Sequence, residues 1–414
     1  MRRLTVHTLA ALTMLTGAAA PALAQSTAPA AAAAQPAPCQ AGITKGARAA
    51  LVALQTAVAA KDSANIPARI AAAQAVAKSN DDRCFIGQMQ VKAAVDSNDL
   101  KSVPAALEAQ LASGGIPAAR IATFYEGLGQ RYYENNNLPE AATAFERAAA
   151  LDPSLSLAII MIAEVRAKQN RGADALPLYR KAIAIETAAG RVPQAQWYSR
   201  ALKAAYDAKN PVAYALSRDW VAAYPSAGNW RDAVGIYSNV SGAGDDQMID
   251  LYRLLRLTKS MAGENEHSRY ARALITKGFP GEAKAMLDES FAAKSVDPTR
   301  ASIKQFYTLA SSRAAGDRAS LDGQAKVALA NSAARPSMVL GEAYFGYGDY
   351  AKAAAMFRAA QGKTGVDAEL ANLRLGMALA ASGDKAGAAA ALAKVTGPRA
   401  EVARYWETYA KLRS

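Results

Sequence analysis

One spacing pattern recurs along the chain and constrains its fold more than any other feature. Small and aromatic residues occur at fixed helical offsets over about 34 residues, as a pair of packed helices requires. The strongest copy comprises Tyr125, Leu128, Gly129, Tyr132, Leu138, Ala141, Phe145, Ala148 and Pro153. The register returns at Leu340, Gly341, Tyr344, Gly348, Tyr350, Ala353, Phe357 and Ala360. A helix pair of this size buries its apolar face only against its neighbours, so the pattern predicts a solenoid.

These residues resemble the tetratricopeptide repeat family, whose unit is a helix A and a helix B joined by a short turn. Gly129 and Ala141 stand where the two helices approach closely. Tyr132 and Phe145 fill the wider gaps, and Asn136 stands in the turn, where a left-handed backbone is favoured. The resemblance implies an all-α fold, a right-handed α-solenoid (superhelix) of helix-turn-helix repeats.

The chain divides into seven segments. The first, residues 1–24, has the features of a signal peptide: Arg2 and Arg3, a short apolar core, and a cleavage site at Ala22-Leu23-Ala24. The core is too short to span a membrane, which disfavours an uncleaved anchor. The other segments are a disordered Ala/Pro-rich tether (25–44), degenerate helical repeats (45–121), a strong repeat pair (122–193), an irregular aromatic-rich helical region (194–260), a C-terminal repeat array (264–402) and a capping helix (403–414).

A cleaved signal peptide predicts that the mature chain is exported, most simply to a bacterial periplasm. Its two cysteines are Cys39 and Cys84. An oxidising compartment favours a disulfide between them, and two unrelated buried thiols are the alternative. No later apolar run approaches membrane length, so we do not expect an integral membrane protein.

The sequence lacks a recognisable set of catalytic residues. His267 is the single histidine after residue 24, and it falls at a packing position of a helix A, which favours a structural role. The turn Ser241-Gly242-Ala243-Gly244 lacks the Lys-Ser/Thr of a phosphate-binding loop. The adjacent acids Asp81-Asp82 and Asp245-Asp246 are expected to cap helix N-termini. We predict no enzymatic activity, no cofactor and no metal site.

The net charge of +13 is spread along the chain. Residues 122–155 are net negative, whereas most other repeats are mildly positive. A diffuse positive excess suits an anionic envelope glycan or lipid. It does not form the basic stripe on one face that nucleic-acid recognition requires.

The resemblance implies a binding groove along the helix A faces. Carried onto this chain, its peptide-groove positions include Glu126, Gln130, Tyr133, Met338, Glu342, Phe345 and Met377. Family members that clamp a terminal carboxylate use Lys and Asn there, and the acidic and amide residues of this chain depart from that pattern. The apolar members suit an amphipathic helix or an extended peptide. Alternatively they pack on a neighbouring repeat, in which case Phe345→Glu would unfold the protein instead of weakening capture.

Three functions fit this pattern. The first is a non-enzymatic periplasmic scaffold or adaptor that binds a protein or peptide in its concave groove. The second is a binding module for an anionic envelope polymer or lipid, used in envelope assembly or polysaccharide export. The third is a structural protein that assembles with copies of itself through its terminal repeats. High salt should abolish charge-driven polymer binding and spare apolar peptide binding.

Overall fold

The computed structural model describes residue 39 and residues 41–314 and 317–413. These residues form 21 α-helices, and the β-structure among them is limited to one isolated bridge between Ala333 and Thr364. The chain divides into two compact units, Met1–Arg191 and Val192–Ser414. The predicted all-α solenoid of stacked helix pairs is confirmed. The predicted signal peptide and residues 25–38 of the predicted tether lie outside the described residues.

The first unit is a stack of helix pairs. Its described helices are α1 (Arg48–Ala59), α2 (Ile66–Val76), α3 (Asn80–Asp96), α4 (Val103–Ser113), α5 (Ala118–Glu134), α6 (Leu138–Leu151), α7 (Ser156–Lys168) and α8 (Gly172–Ala188). Odd-numbered helices occupy the helix A position and even-numbered ones the helix B position. Each helix A packs mainly on the helix B that follows it.

The strongest repeat, α5 and α6, shows why the sequence pattern works. A Cβ atom added to Gly129 would lie 2.8 Å from Cδ1 of the buried Phe145 ring, so the two helices can approach only because the residue is glycine. Asn136 takes the left-handed backbone in the turn, with φ of 60°. Gly348 does the same in the later copy, with φ of 84°. The predicted close approach and the predicted turns are confirmed.

Residues 41–44 belong to the first unit and not to the predicted tether. Thr44 donates hydrogen bonds to the Asp82 carboxylate from its backbone nitrogen and its hydroxyl, at 2.9 and 2.8 Å. Asp82 and Ser79 form a capping box at the start of α3. Burial would raise the pKa of Asp82, but the hydrogen bonds from Ser79, Lys78 and Thr44 hold it well below its usual range.

A disulfide fastens the same end of the unit. It joins Cys39 to Cys84 of α3, with the two Cα atoms 5.3 Å apart. Both cysteines are buried. The disulfide therefore ties residue 39 covalently to the second helix pair of the first unit.

The second unit is a longer stack. Its described helices are α9 (Ala195–Asp207), α10 (Val212–Ala223), α11 (Ala227–Ser241), α12 (Asp245–Leu257), α13 (Gly263–Lys277), α14 (Pro280–Ala292), α15 (Ala301–Ala314), α16 (Asp317–Ala330), α17 (Ala334–Gly346), α18 (Tyr350–Ala360), α19 (Ala368–Ser382), α20 (Lys385–Leu392) and α21 (Ala400–Leu412). None of the helices in the described part of the chain has the length and hydropathy needed to cross a membrane.

The last helix packs on more than the last repeat. α21 contacts α19 and α20, as a capping helix should, but it also packs against α10 and α12. Trp406 is fully buried and its indole donates a hydrogen bond to the Asp250 carbonyl at 3.2 Å. The Tyr405 hydroxyl lies 2.8 Å from Ser217 Oγ. The second unit is thus closed by contacts between its two ends.

The aromatic-rich segment expected to be irregular consists of the regular helices α9 to α12. Its rings meet those of α21 edge to face. Trp230 and Tyr409 have centroids 6.5 Å apart, and Tyr237 and Tyr405 have centroids 5.8 Å apart. Two aromatic residues of this segment, Trp230 and Tyr237, therefore contribute to the contact with the C-terminal helix.

Candidate interaction surface

Three predicted groove residues lie together on α5 of the first unit. Glu126, Gln130 and Tyr133 follow one another at intervals of four and three residues, which places them in a stripe along one face of the helix. All three side chains are half-buried. This stripe belongs to the helix A face of the unit, and solvent still reaches it.

A cavity opens beside this stripe, between α3 and α5. Its volume is about 90 Å³. Its floor is apolar and its rim is polar, and Gln130 belongs to both the rim and the stripe. The lining residues are Val91, Val95, Leu100, Val103, Phe124, Gly127, Leu128, Gln130, Arg131 and Glu134. We refer to the stripe and the cavity together as the α5 face.

The two glutamates of the α5 face, Glu134 and Glu126, differ in whether a neighbouring side chain donates a hydrogen bond to them. Gln130 Nε2 donates to Glu134 Oε1 at 3.3 Å. Glu126 makes no hydrogen bond or ion pair with any part of the chain that the structure describes, and burial raises the pKa of its carboxyl. Tyr133 lies one turn beyond Gln130 on α5, and the Lys168 ammonium of α7 lies 3.9 Å from the centroid of its ring. The α5 face therefore contains a desolvated carboxylate without a partner and an aromatic ring that already holds a cation.

A second cleft in the first unit lies on the helix B side, and charged side chains that line it are paired with one another. It is lined by α4, α5 and α6 and has a volume of about 500 Å³. Arg147 donates two hydrogen bonds to Glu108, at 2.8 and 2.7 Å, and Tyr125 donates a third at 2.6 Å. The hydrogen bond from Arg147 and, less strongly, that from Tyr125 lower the pKa of Glu108. These groups join α4 to α6, so we assign this cleft a structural role.

The groove predicted along the second unit is not open. Phe345 is 3% exposed, and its ring meets that of Trp406 edge to face at 6.2 Å. Met377 is fully buried in α19, and Met338 is half-buried against the same core. The prediction that Phe345 and Met377 line an accessible groove is wrong, because the unit's own helices bury both side chains. Met338 is half-buried, as Glu126, Gln130 and Tyr133 are, so its place in a groove stays a prediction.

Glu342 is buried for a different reason, since it belongs to a cluster of ionic side chains. Arg253 donates two hydrogen bonds to Glu282, from Nε at 2.8 Å and from Nη2. Its Nη1 lies 2.6 Å from Glu342, and Arg374 Nη1 lies 2.8 Å from Glu342 and 3.0 Å from Asp250. All five residues are at most 6% exposed. The cluster links α12, α14, α17 and α19.

The cluster contains one carboxylate more than its arginines can neutralise. Burial raises the pKa of Asp250 to about 7 despite the opposing charge of Arg253, and burial raises that of Glu342 to about 7 as well. Burial also disfavours ionised Glu282, but its paired Arg253 outweighs this and lowers its pKa. Neither the pairing with Arg253 nor that with Arg374 offsets the cost of burying these two carboxyl groups in ionised form. The cluster was not predicted from the sequence, although Arg374 is the one basic residue of the mostly apolar helix α19.

The remaining polar residues of interest have structural roles. His267 is 2% exposed, and its Nδ1 lies 2.7 Å from the Gly263 carbonyl of the preceding turn. Asp82 caps α3, and Asp246 in the first turn of α12 pairs with Lys277 at 2.7 Å. Within the described ranges, no three His, Cys, Asp or Glu side chains are arranged so that they could hold a metal ion.

Comparisons with known proteins agree with the repeat pattern. Two family models, both described as tetratricopeptide repeat, match residues 122–155 and 338–401. No curated protein matches the chain. A tetratricopeptide repeat protein from Parabacteroides merdae is similar at 13% identity, with 72% of this chain and 99% of that chain covered and a TM-score of 0.29.

Two further solved structures are similar at the same low level. The TPR2AB domain of yeast Sti1, in complex with pHSP90, is 13% identical, with 70% of this chain and 99% of that chain covered and a TM-score of 0.25. Pseudomonas aeruginosa pilF is 14% identical, with 66% of this chain and 90% of that chain covered and a TM-score of 0.19.

Proposed function

The chain is a tetratricopeptide repeat protein, and on that basis we propose that it is a non-enzymatic adaptor that binds a protein partner through the α5 face of its first unit. Repeats of this family form protein–protein interaction modules. The proposal adds the place where binding occurs and the kind of contact that it uses.

The observation that carries the proposal is the open cavity between α3 and α5. An apolar floor inside a polar rim is the usual composition of a protein-binding site, because the apolar centre supplies affinity and the rim excludes water. At the corresponding positions of α17 in the second unit, Glu342 and Phe345 are buried by that unit's own side chains. The first unit therefore keeps accessible the surface that the second unit buries.

The location of this adaptor is part of the proposal. Residues 1–24 lie outside the described residues, and their pattern of basic start, apolar core and small-residue cleavage site supports export. The Cys39–Cys84 disulfide is the kind of bond that persists in an oxidising compartment. We propose that the mature protein works in the periplasm.

The test uses a substitution that blocks the cavity without harming the fold. Gly127 lines the cavity, lies inside α5, and would meet no atom within 4 Å if it carried a Cβ. Gly127→Leu should therefore fill the cavity mouth and stabilise the helix by about 1 kcal/mol. Gly235, inside α11 of the second unit, is equally unobstructed, so Gly235→Leu is a matched control.

The mature protein and both variants would be crosslinked in the envelope fraction of the host and captured, with washes at low and high salt. We expect one protein to be retained at high salt by the wild type and by Gly235→Leu, and to be lost with Gly127→Leu. Equal retention by all three proteins would refute binding at the α5 face.

A second candidate function rests on charge. Residues 192–414 contain 29 Lys and Arg against 21 Asp and Glu, so the second unit carries most of the positive excess. Such a surface could attract an anionic glycan or lipid of the envelope. Recovery of only lipopolysaccharide or glycan, at low salt alone and equally with Gly127→Leu, would favour this function.

A further inference from the structure

We infer that the partner of the α5 face is a basic segment, which inserts one aliphatic side chain into the cavity and directs a Lys or Arg toward Glu126. This inference rests on the proposed function and specifies the chemistry of the partner. It follows from the size of the cavity, from the unpaired carboxylate of Glu126 and from the net negative charge of residues 122–155.

The volume and the apolar lining of the cavity restrict which partner side chain it can accept. Val91 and Val95 of α3 and Phe124 of α5 supply an apolar floor. Its volume is about 90 Å³, whereas apolar cavities that accept a benzene ring hold about 150 Å³. The cavity therefore suits a branched aliphatic side chain better than an aromatic ring.

Glu126 supplies the second contact. Its carboxylate is half-buried and has no hydrogen bond or ion pair within the described chain. A desolvated carboxylate is costly unless an opposite charge pairs with it, so a partner cation that reaches Glu126 recovers that cost on binding. Glu126 and the cavity lie on opposite sides of Gln130 around α5, so one segment crossing the helix can contact both.

The charge of this repeat favours the same partner. Residues 122–155 contain five acidic residues and two basic ones, although the whole chain has a net charge of +13. Arg131 on the rim is the basic residue nearest the cavity, while Glu126 and Glu134 lie on the same helix. A basic segment is attracted to this face, whereas an anionic polymer is attracted to other parts of the chain.

A random peptide library displayed on phage tests the inference on the intact mature protein. We expect the enriched peptides to share one Leu, Ile or Val and one Lys or Arg at a constant spacing. A synthetic peptide with the enriched sequence should bind roughly tenfold more weakly to Glu126→Gln and lose part of its salt dependence, because a charge-assisted contact is removed. Glu140→Gln removes the same charge from the helix B side of the repeat and should leave affinity unchanged.

The outcomes separate this inference from the proposed function. Peptides that Gly127→Leu blocks, but that lack a basic residue or bind Glu126→Gln normally, would overturn the partner chemistry and leave the binding face standing. A library with no peptide that Gly127→Leu blocks would overturn both. Enrichment of acidic peptides that depend on Arg131 would also overturn the inference.

Discussion

Glu342→Gln should remove the contribution of Glu342 to the pH dependence of the second unit's stability between pH 5 and pH 8. Asp250, Glu282 and Glu342 share the buried cluster with only two arginines, Arg253 and Arg374. Glutamine has the shape of glutamate, and its carbonyl oxygen can still accept the hydrogen bond from Arg374. The substitution removes one of the three carboxyl groups that titrate in the cluster and leaves two carboxylates opposite two guanidinium groups.

The sign and size of the change in the free energy of unfolding follow from the pKa of Glu342, which burial raises from 4.5 to about 7. A folded-state pKa above the unfolded value stabilises the fold at low pH, and this stabilisation is lost as the pH rises toward 7. At about 1.4 kcal/mol per pH unit, the loss is roughly 3 kcal/mol.

The assay is urea unfolding followed by tryptophan fluorescence, at pH 5 and at pH 8. All four tryptophans lie in the second unit, so the signal reports that unit alone: Trp197, Trp220, Trp230 and Trp406. The measured quantity is the free energy of unfolding of Glu342→Gln minus that of the wild type. We expect this difference to rise by roughly 3 kcal/mol between pH 5 and pH 8.

Glu289→Gln is the control for this prediction. Glu289 lies on α14 like Glu282, but it is largely exposed and pairs with Arg256 outside the cluster. Its difference from the wild type should stay constant over the same range. A Glu342→Gln difference that is also constant would refute the reasoning, because Glu342 would then ionise in the folded unit as it does in the unfolded chain.

Three further predictions concern stability. Phe345→Glu should unfold the second unit, since it buries a charge against Trp406, and a native fluorescence transition in that variant would refute the core assignment. Cys84→Ser should lower the free energy of unfolding of the first unit by about 4 kcal/mol without reductant and by nothing with it, which circular dichroism melts would check. Gly129→Ala should cost roughly 1–3 kcal/mol through its contact with Phe145, whereas Gly127→Ala should stabilise; equal melting temperatures would contradict this.

The features that sequence analysis predicted correctly are local. The contact between Gly129 and Phe145 joins two helices of one repeat, and a short turn holds those helices together. A close approach of this kind requires a small residue opposite a large one at a fixed offset, so it can be predicted from the sequence of one repeat. The turn at Asn136 is equally local, because its left-handed backbone restricts which residues fit.

The features that were missed join residues far apart in the chain. Trp406 and Asp250 meet across 156 positions, and Tyr405 and Ser217 meet across 188. Such contacts depend on the curvature accumulated over many repeats, which no single repeat determines. One signal was nevertheless present: Arg374 stands between Leu373 and Leu375 in a helix that is buried almost all round, and an arginine there requires buried acidic partners.

The groove prediction failed in one unit because the repeat register does not state whether a helix A face is covered. Composition does not distinguish the two faces either, because each carries an acidic residue, Glu126 or Glu342, and an aromatic one, Tyr133 or Phe345. What differs is what packs on them. Glu342 is buried beside Arg253 and Arg374, and Phe345 is buried against Trp406 of α21, which packs on α10, α12 and α19. In a solenoid of this kind, the residues of a repeat determine its register, whereas helices far along the chain determine whether its groove positions stay accessible.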